Sequence, residues 1–281
     1  MYDIWNRKYK DVETIYSGQN YRIVINNTCD NGTCYIFFSS NNIWFPNTEE
    51  SFNRSFIDND YYEWTHFLNL SAEKIILIRD IYKSWYVTGV NKQENSVEKV
   101  IEFLKKQTCN MRVITVGSSA GGYMAALTAS LINADRCICF SAQFNLTTGN
   151  IIEKNPFLLK FKNDPNRSKY YNITDLIANS KTCIFYIMPA YSKEDVLQMK
   201  NVENISNIKI LQIFSYHHGV PILTGNLDKL LSMNKKDLER FFDSKKGKII
   251  GMIRASVELC GISSTLSSIV YEVKKVCKKI V

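Results

Sequence analysis

Val113-Ile114-Thr115-Val116-Gly117-Ser118-Ser119-Ala120-Gly121-Gly122-Tyr123-Met124-Ala125-Ala126 passes from apolar residues through a glycine-flanked serine to an alanine-rich run. Four apolar or β-branched residues predict a buried strand, Gly117 to Gly121 a very tight turn, and the Ala- and Leu-rich run to Leu131 a helix. A serine sits at the apex of this strand-turn-helix. Glycines on both sides of Ser119 leave room for a strained backbone that lifts its side chain clear of a sheet, within reach of a base and a substrate. Because the turn opens a helix, the Ala120 N–H points where a carbonyl oxygen would become an oxyanion.

Working outward, strands are predicted at Tyr21 to Asn26, Tyr35 to Phe38, Lys74 to Asp80, Asp135 to Phe140, Lys181 to Met188 and Ile208 to Phe214, the last taken as the end of the series. Residues 1 to 19 read as an irregular lead-in, and the segment from Cys29 to Cys34 as the turn between the first two strands. Val97, Val100, Ile101 and Leu104 repeat at helical spacing. The aromatic connection from Trp44 to Asn69 predicts a short helix over the sheet edge, and residues 147 to 180 a polar, tyrosine-rich insertion covering the site. Strands alternating with helices predict a mostly parallel sheet wrapped on both faces.

At neutral pH a serine hydroxyl needs an imidazole to take its proton, and the imidazole needs a carboxylate to fix its tautomer. Two of the three histidines follow the last predicted strand. His218 is the candidate base because Gly219 permits the turn that aims it back, and His217 is the fallback. Asp195 is the candidate acid, with Glu194 the alternative. The small polar loop Ser39 to Asn42 is expected to supply a second oxyanion N–H, placed at Ser40. Arg79, Asp80, Trp85 and Tyr86 lie past the end of a strand and Gln143 past the end of another, where open α/β sheets bind ligands. An aromatic pair beside a charged pair suits a sugar ring and its hydroxyls; the competing reading is an Arg–Asp ion pair with an aromatic lid.

A chain of 281 residues, 45% hydrophobic and 12% aromatic, can bury one large α/β core. The formal charge of +8 is concentrated late, in lysine clusters from Lys235 to Lys279, and no nucleic-acid partner is expected. Eight irregularly spaced cysteines suit reduced core thiols better than a disulfide framework, although Cys29 and Cys34 could bracket a loop. No metal site is expected from three histidines and no C-x-x-C pair. The first residues lack a signal-like apolar core and no 18-residue apolar run occurs, so the expected location is the cytoplasm. Residues 1 to 233 are expected to form the main domain and 234 to 281 a basic, amphipathic helical extension. That extension is expected to lie on an anionic membrane surface, or to pack on its own domain or a second copy in a homo-oligomer.

Gly117-Ser118-Ser119-Ala120-Gly121-Gly122, Asp195 and His218-Gly219 make the chain resemble an α/β-hydrolase. Arg79-Asp80 with Trp85-Tyr86 and Gly89, Gln143, and His218 followed by Val220 and Leu223 are similar to hydrolase-like proteins of bacterial capsule and lipopolysaccharide gene clusters. That broader group includes carbohydrate O-acetyltransferases and O-acetyl esterases. The resemblance covers roughly residues 20 to 232 and implies Ser119, Asp195 and His218 as a triad, with a pocket around the Arg-Asp and Trp-Tyr pairs. Ser141-Ala142-Gln143 departs from the group's pattern, which has a proline before the glutamine. The expectation is serine-dependent acyl chemistry on a glycan, with no cofactor required and acetyl-CoA as a candidate donor whose phosphates basic residues near the cleft would bind. The competing reading is a catalytically silent scaffold in a glycan-assembly complex. A peptidase or lipase draws no support beyond the shared turn.

Overall fold

The structure, a computed structural model, describes residues 10–280. Eight strands form one sheet: β1 (Tyr21–Ile25), β2 (Thr33–Phe38), β3 (Lys74–Ile78), β4 (Arg112–Ser118), β5 (Arg136–Phe140), β6 (Cys183–Pro189), β7 (Ile208–Phe214) and β8 (Ile249–Gly251). Their order is β1-β3-β2-β4-β5-β6-β7-β8. Only β1 runs antiparallel, against β3; every other pairing is parallel. The expected turn between β1 and β2 is therefore a crossing, since β3 lies between them.

β2, β5 and β6 are buried along their whole length, which is why they read as continuous apolar runs rather than alternating ones. Both faces of the sheet are covered. Ile36 and Phe38 of β2 face one core, with Val100, Leu104, Met124 and Tyr186, whereas Tyr35 and Phe37 face a second, with Val116, Phe185, Leu230 and Phe242. This is the period-2 alternation of a pleated strand applied to a sheet with two interiors.

The helices, in chain order, are α1 (Lys10–Ser17), α2 (Glu49–Asn53), α3 (Val97–Gln107), α4 (Ala120–Ile132), α5 (Ile151–Lys154), α6 (Pro156–Phe161), α7 (Pro165–Ser168), α8 (Thr174–Ala178), α9 (Lys193–Lys200), α10 (Leu227–Ser232), α11 (Lys235–Ser244), α12 (Met252–Cys260) and α13 (Ile262–Ile280). α3 starts at Ser96, whose side chain accepts the Lys99 N–H, and it buries the four apolar positions that its spacing picked out. α4 is apolar nearly all round and buried from Ala120 to Ser130, as a helix between strands and other helices must be.

Three expectations change. The lead-in over 1–19 is helical from Lys10, and its remainder, residues 1–9, lies outside the described residues. The series of strands does not end at β7: β8 pairs with it in parallel, and α11 buries Leu238 and Phe242 in the second core. Residues 235 to 260, expected as part of a helical extension, thus complete the sheet and its cover, and only α13 follows them. Cys29 and Cys34 are both free thiols, Cys34 buried on β2. No helix among the described residues is long and apolar enough to cross a membrane. One antiparallel edge strand, a parallel run beyond it, and a central strand feeding a Gly-x-Ser-x-Gly turn make this the α/β-hydrolase fold.

Candidate active site

Ser119 occupies the apex between β4 and α4 with φ 55° and ψ −121°, a backbone region costing of order 1–3 kcal/mol for a non-glycine residue. The turn is held by the Ser119 N–H, which donates to the Phe140 carbonyl at 2.9 Å. Its compactness requires glycine. A Cβ on Gly121 would stand 2.3 Å from the Phe38 carbonyl oxygen, and one on Gly117 2.2 Å from the Gly121 oxygen. Backbone thus packs directly on backbone, and the amide of Ala120, in the first turn of α4, has no partner within the helix.

The base and acid arrive from the ends of β7 and β6. His218 Nε2 is 2.9 Å from Ser119 Oγ, and His218 Nδ1 is 2.9 Å from Asp195 Oδ2. An ionised carboxylate can only accept, so Nδ1 carries the proton and donates to Asp195, leaving Nε2 to accept from the serine hydroxyl. Asp195 is 1% exposed in the first turn of α9, whose cap is Ser192; the His218 side chain is 32% exposed. Burial works to lower the His218 pKa, but the Asp195 hydrogen bond and charge, aided by Glu194, outweigh it and hold the pKa above 6.5. His217 is exposed and its backbone N–H is tied to Ser215. Gly219 has φ +126°, the turn that aiming His218 at the elbow requires.

Sequence reasoning missed what fastens this loop. Ser141, buried just past β5, donates its hydroxyl to the Gly219 carbonyl at 2.7 Å and accepts the Gly219 N–H at 3.0 Å. Nothing in a single chain links positions 78 residues apart, so only the departure at Ser141-Ala142-Gln143 marked the place.

Two cavities meet at His218. One, about 530 Å³, is lined by Ser119 with Ser40, Asn41, Asn42 and Glu63. The other, about 150 Å³, has Trp85, Gln143, Ile151, Lys154 and Leu197 in its wall, and the Trp85 Nε1–H donates to Gln143 Oε1 at 2.7 Å. Thr148, Gly149, Ile151 and Lys154 bring the insertion over 147–180, four short helices, to that wall.

Arg79, Asp80 and Tyr86, expected in the cleft wall, stand behind it. Arg79 is 3% exposed, pairs with Asp60 at 2.8 Å, bonds Asn20 and lies over the Tyr62 ring. The alternative Arg79–Asp80 pair does not form either. Asp80 accepts the backbone N–H groups of Ser84 and Tyr86, which shapes the turn that presents Trp85, and burial pushes its carboxyl up to about 6. The fully buried Tyr86 donates its hydroxyl to the Ser39 carbonyl. All three are buried because the β3 terminus lies under the turns on either side of it.

Ser40 is also corrected. Its N–H donates to Glu63 Oε2 at 2.8 Å and its hydroxyl to Glu63 Oε1 at 2.8 Å, so that amide is spoken for. Asn41, the next residue on the cavity wall, has a backbone N–H with no hydrogen-bond partner among the described residues. Among the described residues no group of three or more His, Cys, Asp or Glu is arranged to hold a metal ion.

No family model matches the chain, and no curated protein matches it. Solved structures do. The capsule O-acetyltransferase of Neisseria meningitidis serogroup A is 15% identical with a TM-score of 0.50, over 81% of this chain and 91% of that one. The Wnt deacylase Notum from Drosophila is 12% identical with a TM-score of 0.45, over 80% and 87%. MenH from S. aureus is 13% identical with a TM-score of 0.41, over 69% and 89%. At 15% identity the likeness to the first of these is one of fold.

Proposed function

We propose that this chain is a serine-dependent enzyme that transfers or hydrolyses an O-acyl group on a sugar of a surface polysaccharide or its precursor. The observation that carries the reading is the relay of two 2.9 Å contacts from Asp195 through His218 to Ser119, ending at a strained elbow. In this reading Ser119 Oγ attacks an acyl carbonyl while His218 Nε2 takes its proton; Asp195 holds the imidazolium that results. The oxyanion is received by the N–H groups of Ala120 and Asn41. His218 then returns the proton to the leaving group. Water resolving the acyl-enzyme makes the protein an esterase; a sugar hydroxyl resolving it, after acylation by a thioester such as acetyl-CoA, makes it a transferase. Lys154 on the smaller cavity is a cation available to a phosphorylated donor.

The glycan part of the reading is supported by Trp85 and Gln143, an aromatic face beside a fixed amide in the wall of a cleft. It also takes up the resemblance to capsule-cluster proteins, and the similar structure from Neisseria is itself named a capsule O-acetyltransferase. An alkyl fluorophosphonate probe tests the chemistry: labelling of Ser119 that disappears in Ser119→Ala supports the enzyme, and a wild type that resists the probe supports the scaffold reading. Acetyl-CoA with and without capsule oligosaccharide then separates transferase from esterase.

A cytoplasmic protein lying on a membrane completes the proposal. α13 turns Thr265 and Ser268 toward its own domain, Ser268 bonding Asn226 at 2.9 Å, and leaves Ile262, Leu266, Val270 and Val273 outward, each more than half exposed. Lys274, Lys275, Lys278 and Lys279 occupy its last two turns. An anionic lipid surface suits an exposed apolar stripe on a helix with four lysines near the end of its sequence.

A further inference from the structure

Among the described residues Glu63 is the one acidic side chain in the wall of the cavity that holds Ser119, and no step of the proposed acyl transfer uses it. It lies in the aromatic connection between β2 and β3, followed by Trp64, whose Nε1–H donates to the Phe38 carbonyl at 3.1 Å. Both its oxygens go to one residue, Ser40, and Ser40 Oγ in turn accepts the Asn42 N–H at 3.0 Å. Two bonds from outside the turn after β2 and one within it thus fix it at either end of Asn41.

We infer that Glu63 is a positioning residue of the oxyanion site: by engaging the Ser40 N–H and hydroxyl together it sets the turn so that the Asn41 N–H is left free in the wall of the cavity that holds Ser119. The inference rests on the serine-enzyme reading and deepens it. A polar turn of the composition Ser39-Ser40-Asn41-Asn42 has many conformations of similar energy, since each side chain can bond its own backbone. A two-point contact to a carboxyl on another segment selects one of them, and preorganised donors are what make an oxyanion site effective.

The same placement gives the residue a charge problem. Burial pushes the Glu63 carboxyl up to about 7, against the opposing Ser40 bonds and the Lys83 charge. The other titratable groups around it are His218 across the cavity and the hydroxyls of Tyr61 and Tyr86. An oxyanion forming in this cavity favours the protonated carboxyl, because two negative charges in a poorly solvated site repel. The protonated form still accepts the Ser40 N–H through its carbonyl oxygen. Turnover therefore falls as Glu63 ionises with rising pH.

The experiment is hydrolysis of an activated acetate ester by the full chain, with kcat and KM followed across pH, for wild type, Glu63→Ala and Glu63→Gln. Glu63→Ala is expected to lower kcat by roughly 10²-fold with KM little changed, the loss typical of one oxyanion donor. Glu63→Gln keeps both bonds, its oxygen accepting the Ser40 N–H and its amide donating to Ser40 Oγ. It is expected to recover most of that kcat and to lose the alkaline decline. Ser40→Ala, which removes the hydroxyl arm and the acceptor of the Asn42 N–H but keeps the Ser40 amide bond to Glu63, is expected to fall between the two and serves if Glu63→Ala does not fold. An unimpaired Glu63→Ala, a loss expressed in KM, or a Glu63→Gln as damaged as Glu63→Ala or still declining at high pH overturns the inference. A wild type whose Ser119 neither turns over ester nor reacts with the phosphonate overturns the enzyme reading and this inference together.

Discussion

The elbow meets the end of β2 at Gly121, and Gly121→Ala puts a number on that approach. The added Cβ would lie 2.3 Å from the Phe38 oxygen and 2.7 Å from the Ser39 oxygen. Both are backbone atoms, so no flexible side chain can yield; α4 and the end of β2 must separate by about 1 Å to restore ordinary contact, and a misplacement of that size near a reacting centre is worth about 10²-fold in rate. The two segments being driven apart carry the two N–H groups proposed to receive the oxyanion, Ala120 on one and Asn41 on the other. Overpacking of this kind costs about 1–3 kcal/mol of stability as well. The assay is kcat for an activated acetate ester together with thermal unfolding. Gly18→Ala, whose added Cβ meets nothing closer than 3.4 Å, is the control expected to leave both unchanged. A Gly121→Ala protein with wild-type kcat and wild-type Tm would refute the argument that this contact sets the geometry of the site.

The pH dependence of kcat/KM follows from His218, which must be neutral to accept the serine proton: activity is expected to fall on acidification through a pKa above 6.5. Asp195→Asn removes the carboxylate charge and its charge-assisted bond, the main causes that raise that pKa, and leaves burial, which lowers it, opposed by Glu194. The acid limb then moves to lower pH while kcat drops by on the order of 10³ to 10⁴, checked by a full pH-rate profile. For the membrane reading, Leu266→Glu with Val270→Glu is expected to abolish flotation with anionic liposomes while leaving Ser119 labelling intact. Flotation that persists, or a wild type that never floats and instead self-associates in sedimentation, refutes it.

Much of the site was legible because its parts obey local rules. Gly-x-Ser-x-Gly between an apolar strand and an Ala-rich helix permits few backbone paths, so Ser119 and Ala120 could be placed from spacing alone. Asp195 and His218 followed from the ends of later strands, with Gly219 after the histidine as a turn. The cleft wall was read less well. Arg79, Asp80 and Tyr86 stand one layer too deep, since a polar residue at a strand's end looks the same whether it meets substrate or the backbone of a neighbouring turn. β8 escaped because a strand of three residues carries too little periodicity to register.

Local sequence dictates the alternation of strand and helix, the apolar runs that become a doubly covered sheet, and the strained serine turn, because each is enforced by sterics and burial over a few consecutive residues. Which groups meet is a matter of the folded chain: β3 between β1 and β2, Ser141 holding the Gly219 turn, Glu63 taking the Ser40 amide, and α13 with its apolar side outward. These are contacts between residues far apart in the chain, and a hydrogen bond across such a distance is selected by the packing of whole elements, which no local pattern encodes.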